Sequence, residues 1–379
     1  MRTAVNSLAA ALQSIMPGVV SAQHKHKRSR SMPTSPSAHR FLDENDFQTQ
    51  LVAHLERLQQ QQLPSSYTFT ADWLGKAMEL VLFIFSNVRD IQKMGKDMDE
   101  EWLSKHMEDV VNVLDVCNVL MERISQIKKH NMSVQIALRG LLHGLQLQNF
   151  TVHRQVVKSR NSLAGFRDAL RRNKDMMDVE SNMDKCMSTL RRMADRLPAT
   201  STTMATGVEE DMKMAMGITI FACTALVAAL SFNKPRRSSI PAAACFHNKP
   251  KNNKISPLPL TADPLLNIRC VIGTKIKEAV EMQKRKRSTS YNLLFHELDR
   301  ADITVGNVSN LLDRYLTKKT SNSESSKQLE DELNASIRAL SNSTTELESA
   351  LSCMEHKISE LFKFLISSRV QLLNTLSLS

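Results

Sequence analysis

The chain has 379 residues, a formal net charge of +11, 5% aromatic residues, and only 10 Gly and 11 Pro. That length buries a sizeable core in one or two domains, and the abundance of Leu, Met, Lys, Glu and Gln favours helices over strands. The six cysteines are scattered without a CxxC pair, which argues against a disulfide framework or a structural zinc site and for a reducing compartment.

Positive charge is unevenly placed. Residues 1–42 carry six basic residues and no acid, and residues 233–264 carry six more against the single Asp263; the remainder balances at 38 basic and 38 acidic. The excess is therefore expected on tails and linkers rather than on a folded face. Nucleic-acid binders show a basic helix or stripe with readout residues, so no nucleic-acid partner is expected. A basic linker beside an apolar segment suits an anionic membrane surface better.

Residues 1–42 read as a disordered basic tail, although their Ser-rich, acid-free character also fits a cleaved targeting segment. Within the tail, Arg28-Ser29-Arg30-Ser31-Met32-Pro33 has the spacing that 14-3-3 proteins read once Ser31 is phosphorylated, an Arg-gripped phosphate followed by a turning Pro. From Asp43, Phe47, Leu51, Leu55 and Leu58 recur at helical spacing. Thr70 is placed to cap the next helix, whose apolar stripe is Trp73, Ala77, Leu80, Val81, Ile84, Val88 and Ile91. A third helix starts at the acidic cluster Asp97, Asp99, Glu100 and Glu101 and ends at Lys128, Lys129 and His130, matching the helix macrodipole at both ends. Its Val110, Val113, Leu114, Cys117, Leu120, Met121, Ile124 and Ile127 require a buried face. Further helices are expected over 132–147, 152–172 and 175–196, completing an N-terminal bundle segment over 43–206.

Met214–Phe232 follows, nineteen residues without a charge, with Lys234, Arg236 and Arg237 just beyond. Such a helix, set within 207–232, either spans a membrane or is buried on every side inside a bundle. Its alanines, Thr219, Thr224 and Gly217 weaken the first reading; the cationic flank supports it. Six of the eleven prolines then fall in 233–264, a basic linker. There, Arg236-Arg237-Ser238-Ser239-Ile240-Pro241 repeats the phosphorylation idea at Ser239, so two flexible sites are offered to one dimeric reader.

The C-terminal segment, 265–379, is expected to hold helices near 265–286 and 291–316, then a long final helix. In it Leu340, Thr344, Leu347, Leu351, Met354, Ile358, Leu361 and Leu365 alternate spacings of four and three. A 3.5-residue repeat held this long demands a partner helix, either from the same bundle or from a second chain. Lys284-Arg285-Lys286-Arg287 reads first as a solvated helix end.

No GxxxxGK[ST], GxGxxG, GxSxG or HExxH is present, so no catalytic residue, metal ligand or cofactor is assigned. Several stretches resemble the plant BYPASS-related family: Arg28–Pro33, Trp73-Leu74-Gly75-Lys76-Ala77-Met78-Glu79, Leu114-Asp115-Val116-Cys117-Asn118, and the closing run Glu360–Asn374. The closing run departs at Ser367-Ser368, where relatives tend to place another basic residue. The resemblance implies a predominantly helical plant protein linked to root and shoot development and to restraint of a root-derived mobile signal, with no established catalytic residues.

The expected architecture is all-α: an elongated antiparallel helical bundle with a long C-terminal coiled-coil-like helix and a disordered basic tail. The expected role is a non-enzymatic regulator or scaffold, membrane-associated as a single-pass or peripheral protein facing the cytoplasm, binding protein partners through helices. The alternatives are a cytosolic location, and an enzyme or carrier holding a small signalling molecule between helices.

Overall fold

The computed structural model describes residues 50–51, 53–54, 57–58, 69–92, 100–146, 151–172, 174–196, 207–231, 295–318 and 324–378. Seven helices are named among them: α1 (Ala71–Gln92), α2 (Glu100–Gln146), α3 (Thr151–Arg172), α4 (Lys174–Arg196), α5 (Gly207–Leu230), α6 (His296–Lys318) and α7 (Glu324–Leu378). Pairing of the β kind among the described residues is limited to one bridge between Phe69 and Phe295. The N-terminal tail, the Ser31 and Ser239 motifs, the Pro-rich linker, the helix expected near 265–286 and the Lys284–Arg287 cluster lie outside the described residues.

Two long helices organise the rest. At about 1.5 Å per residue, α2 and α7 are roughly 70 and 80 Å long. They run antiparallel, since Lys128 meets Glu355 while Asn131 meets Thr344. One end of this pair is completed by α3 and α6. Arg196 pairs with Glu108 and Ser159 reaches Ala137, so α3 and α4 return antiparallel along α2. Arg300 pairs with Glu346 and Arg314 with Glu332, making α6 and α7 a hairpin. The other end holds α1, α4 and α5, with α1 running parallel to α7, as Glu79 pairs with Lys357 and Phe85 stacks near Phe364.

Local signals account for the boundaries. Thr70 Oγ1 accepts from the Trp73 amide at 3.3 Å, the expected N-cap of α1. The Ala71 amide donates to Glu297 Oε1 at 3.0 Å and the His296 amide to the Phe69 carbonyl at 2.9 Å, so the starts of α1 and α6 are clamped together. The break expected after His130 does not occur, and α2 is one helix of 47 residues. Neither Gly nor Pro falls there. Asn131, which often competes for its own backbone, instead sends its side chain across to α7.

α5 occupies the middle of its end of the molecule, touching α1, α2 and α4. Met212, Ala215, Met216, Ile218 and Ile220 are buried, and so are Ala222, Cys223 and every residue from Ala225 to Leu230. A helix enclosed on all sides has no polar face to keep, which explains its uncharged run. Its small residues now have a purpose: they let neighbouring helices approach. Thr219 and Thr224 return their hydroxyls to the Ala215 and Ile220 carbonyls at 2.7 Å, so neither is left unsatisfied. Of the two readings of Met214–Phe232, the core helix is the observed one. No helix among the described residues is long and apolar enough to cross a membrane.

Candidate interaction surface

Polar groups inside the bundle join helices. Arg123 is fully buried on α2, and its Nε donates to the Leu230 carbonyl at the end of α5 at 3.0 Å. A cation there meets the negative end of the helix dipole and occupies an orphan carbonyl. Asn131 Nδ2 donates to the Thr344 carbonyl at 3.0 Å and to Glu348 Oε2 at 3.2 Å. The Thr344 hydroxyl itself returns to the Ser341 carbonyl at 2.9 Å, so Glu348 is the side chain of α7 that makes the tie to Asn131 specific. Between α3 and α6, Arg167 reaches Asp302 at 3.1 Å by lying across Gly306, where an added Cβ would stand 3.3 Å from the guanidinium. A larger residue at 306 would require the Arg167 guanidinium to shift by a few tenths of an ångström.

Ionisable groups in the interior are held in unreactive forms. His106, stacked on Trp102, is buried, and burial lowers its pKa from 6.5 to about 4. Cys117, Cys186 and Cys223 come from α2, α4 and α5 and lie close enough to influence one another. Burial, with the neighbouring Cys186 thiol adding to it, pushes Cys117 up to about 12, and burial with the charge of Asp115 pushes Cys186 up to about 11. Reactive thiols need the opposite shift, so these act as small apolar core residues. Among the described residues, no group of three or more His, Cys, Asp or Glu side chains is placed to hold a metal ion.

The outer surface is less uniform than the overall balance of charge suggests. Residues 123–167, covering the second half of α2 and most of α3, contain eight Lys or Arg and no Asp or Glu. The balance of 38 against 38 outside the tail and linker hides this local segregation. Two of the eight are spent on α6, where Arg167 pairs with Asp302 and Arg160 with Asp313. Lys128 is spent on Glu355 at 2.6 Å. Lys129, Arg139, Arg154 and Lys158 are exposed and form no ion pair among the described residues.

Apolar side chains protrude among these charges. Five large apolar residues are exposed among the described residues, and three of them, Met132, Ile136 and Leu142, lie on this part of α2. Met132 and Ile136 are 61% and 62% exposed. Lys129, Met132, Ile136, Arg139 and His143 alternate spacings of three and four, so at 100° per residue they share one outward stripe. Ala137 on α2 faces α3, and Asn131 faces α7; the stripe occupies the remaining side. On α3, Arg154 and Lys158 lie on the flank turned away from Arg160 and Arg167, which face α6. The adjacent helices α2 and α3 therefore each carry exposed cations on acid-free stretches, with Met132 and Ile136 exposed among those of α2. The acid-free run of 45 residues was the sequence signal that could have found them.

The residues of the expected partner seam are all placed in the interior. Leu340, Leu347, Leu351, Met354, Ile358, Leu361 and Leu365 are each 0% exposed. The repeat extends in both directions, from Leu329, Leu333 and Ile337 to Ser368 and Leu372. Its partners are α1, α2 and α6 of the same chain. Of the two serines at which the closing run departs from the family pattern, Ser368 falls on this buried face, where a hydroxyl fits more readily than a charge, and Ser367 is half-buried.

The described residues form an all-α bundle with an apolar core helix and an α7 seam covered by the same chain. A family model described as ROH1-like matches residues 17–245, well over half of the chain, and the chain belongs to that family. The chain is 23% identical over 101 residues to Protein BPS1, chloroplastic, of Arabidopsis thaliana, covering 26% of this chain and 28% of that protein. It is also 23% identical over 175 residues to UPF0496 protein 4 of Oryza sativa subsp. japonica, covering 44% of this chain and 36% of that protein. The chain thus spans about a third of the length of the curated relatives it matches. These likenesses agree with the BYPASS-related resemblance. No solved structure matches the chain.

Proposed function

We propose that this protein is a non-enzymatic regulator of plant root and shoot development, acting as a rigid helical scaffold at a membrane surface and contributing to control of a root-derived mobile signal. The observation that carries the reading is the use made of the interior. The buried Arg123, Asn131 and Ser159 bind neighbouring helices, and most other buried positions hold Leu, Ile, Val, Met or Ala. Partner binding is assigned to outer helix faces, since the α7 seam is covered by the chain itself. Phosphorylation at Ser31 and Ser239 is the proposed regulation, with a 14-3-3 dimer engaging both sites at once.

Grafting tests this directly. Roots lacking the protein, joined to normal shoots, are expected to arrest shoot growth. The intact chain restored to those roots should relieve the arrest, and the Ser31→Ala, Ser239→Ala double variant should relieve it only in part. Normal growth above deficient roots would contradict the assignment to the mobile signal.

A further inference from the structure

We infer that the outward surface of α2 and α3, built from Lys129, Met132, Ile136, Arg139, Arg154 and Lys158, docks on an anionic lipid bilayer. The inference rests on the reading of this chain as a membrane-surface regulator and names the surface that would do it. It combines two independent observations, an acid-free run of 45 residues and two large apolar side chains about three-fifths exposed in its midst.

The chemistry selects among occupants. A second copy of the chain would bring Lys129, Arg139, Arg154 and Lys158 against the same four cations, and like charges in contact are costly. An acidic peptide satisfies the charges, yet Met132 and Ile136 protrude from the ridge of a helix rather than line a groove, leaving an apolar peptide anchor nothing to enter. A bilayer with anionic headgroups satisfies both. Methionine and isoleucine reach the headgroup–acyl boundary, and the long Lys and Arg side chains spread over them to the phosphates. The stripe lies along the helix, so α2 would rest parallel to the bilayer with Arg154 and Lys158 of α3 beside it. This is peripheral contact, with α5 still enclosed in the bundle.

The test is co-sedimentation of the full chain with vesicles of phosphatidylcholine containing about 30% phosphatidylserine, and with phosphatidylcholine alone. Binding to the first and not the second, weakening as salt rises, is expected. Changing Lys129, Arg139, Arg154 and Lys158 to Gln should weaken binding by about a hundredfold or more. Met132→Ser with Ile136→Ser should weaken it by about tenfold. A control that removes four exposed charges elsewhere (Lys185, Arg192, Arg338 and Lys363 to Gln) should bind nearly as the parent does. Circular dichroism and thermal melting of each variant confirm that the bundle is intact. If the α2–α3 variant binds like the parent, the surface is wrong while membrane association survives, carried by another segment. If the parent binds neither vesicle, both fall; if it then binds polyglutamate through the same residues, an acidic protein replaces the bilayer as occupant.

Discussion

Leu351→Asp, and equally Ile358→Asp, is expected to abolish cooperative folding. Both side chains are 0% exposed in the seam of α7. A carboxylate there has no partner and must either stay charged in an apolar core or fold protonated, at a cost of roughly 4 kcal/mol or more. Total stabilities are about 5–15 kcal/mol, so one such change removes much or all of it. The effect should be larger here than at a typical core site, because the seam joins α7 to α1, α2 and α6 together. Leu351→Met conserves volume and should cost less than about 1.5 kcal/mol. Ser352→Asp, one position along the same helix and exposed, should leave the urea midpoint nearly unchanged. Equal effects at 351 and 352 would show that helix propensity, not burial, had been disturbed.

Arg123→Ala should lower stability by about 3–5 kcal/mol. The change empties the largest fully buried side chain among the described residues and removes the donor from the Leu230 carbonyl. Arg123→Met separates the two contributions. It restores most of the volume but leaves the end of α5 without its cation and donor, so a loss of about 1–3 kcal/mol is expected. Equilibrium urea unfolding measures both. If the two variants lose equally little, Arg123 is not the tie between α2 and α5.

Much of this architecture was legible in advance where one periodicity had one physical meaning. The 3.5-residue repeat of α7 implied an enclosed seam, and every apolar member of it is buried. Thr70 before an apolar stripe implied a cap and is one. What sequence left open were cases where two environments demand the same residues. An uncharged helix suits lipid and a bundle centre equally, and only its neighbours α1, α2 and α4 decide between them. The α7 repeat likewise required a partner without saying whose. The run through His130 and Asn131 looked like an ending because Lys and His belong at helix C-termini; it continues because Asn131 spends its amide on Thr344 and Glu348. The basic surface of α2 and α3 was missed for a different reason. Charge was averaged over long segments, and α6 and α7 supply the acids that cancel it, among them Asp302, Asp313, Glu348 and Glu355.

At its end of the bundle, α5 is enclosed by α1, α2 and α4 of its own chain. Hydrogen exchange of the intact protein in detergent-free buffer, read by mass spectrometry, addresses this most directly. Amides over 215–230 should exchange only through global unfolding, as slowly as the centre of α2. Fast exchange across 215–230 while α2 stays protected, or a chain that keeps its fold only in detergent, would contradict it.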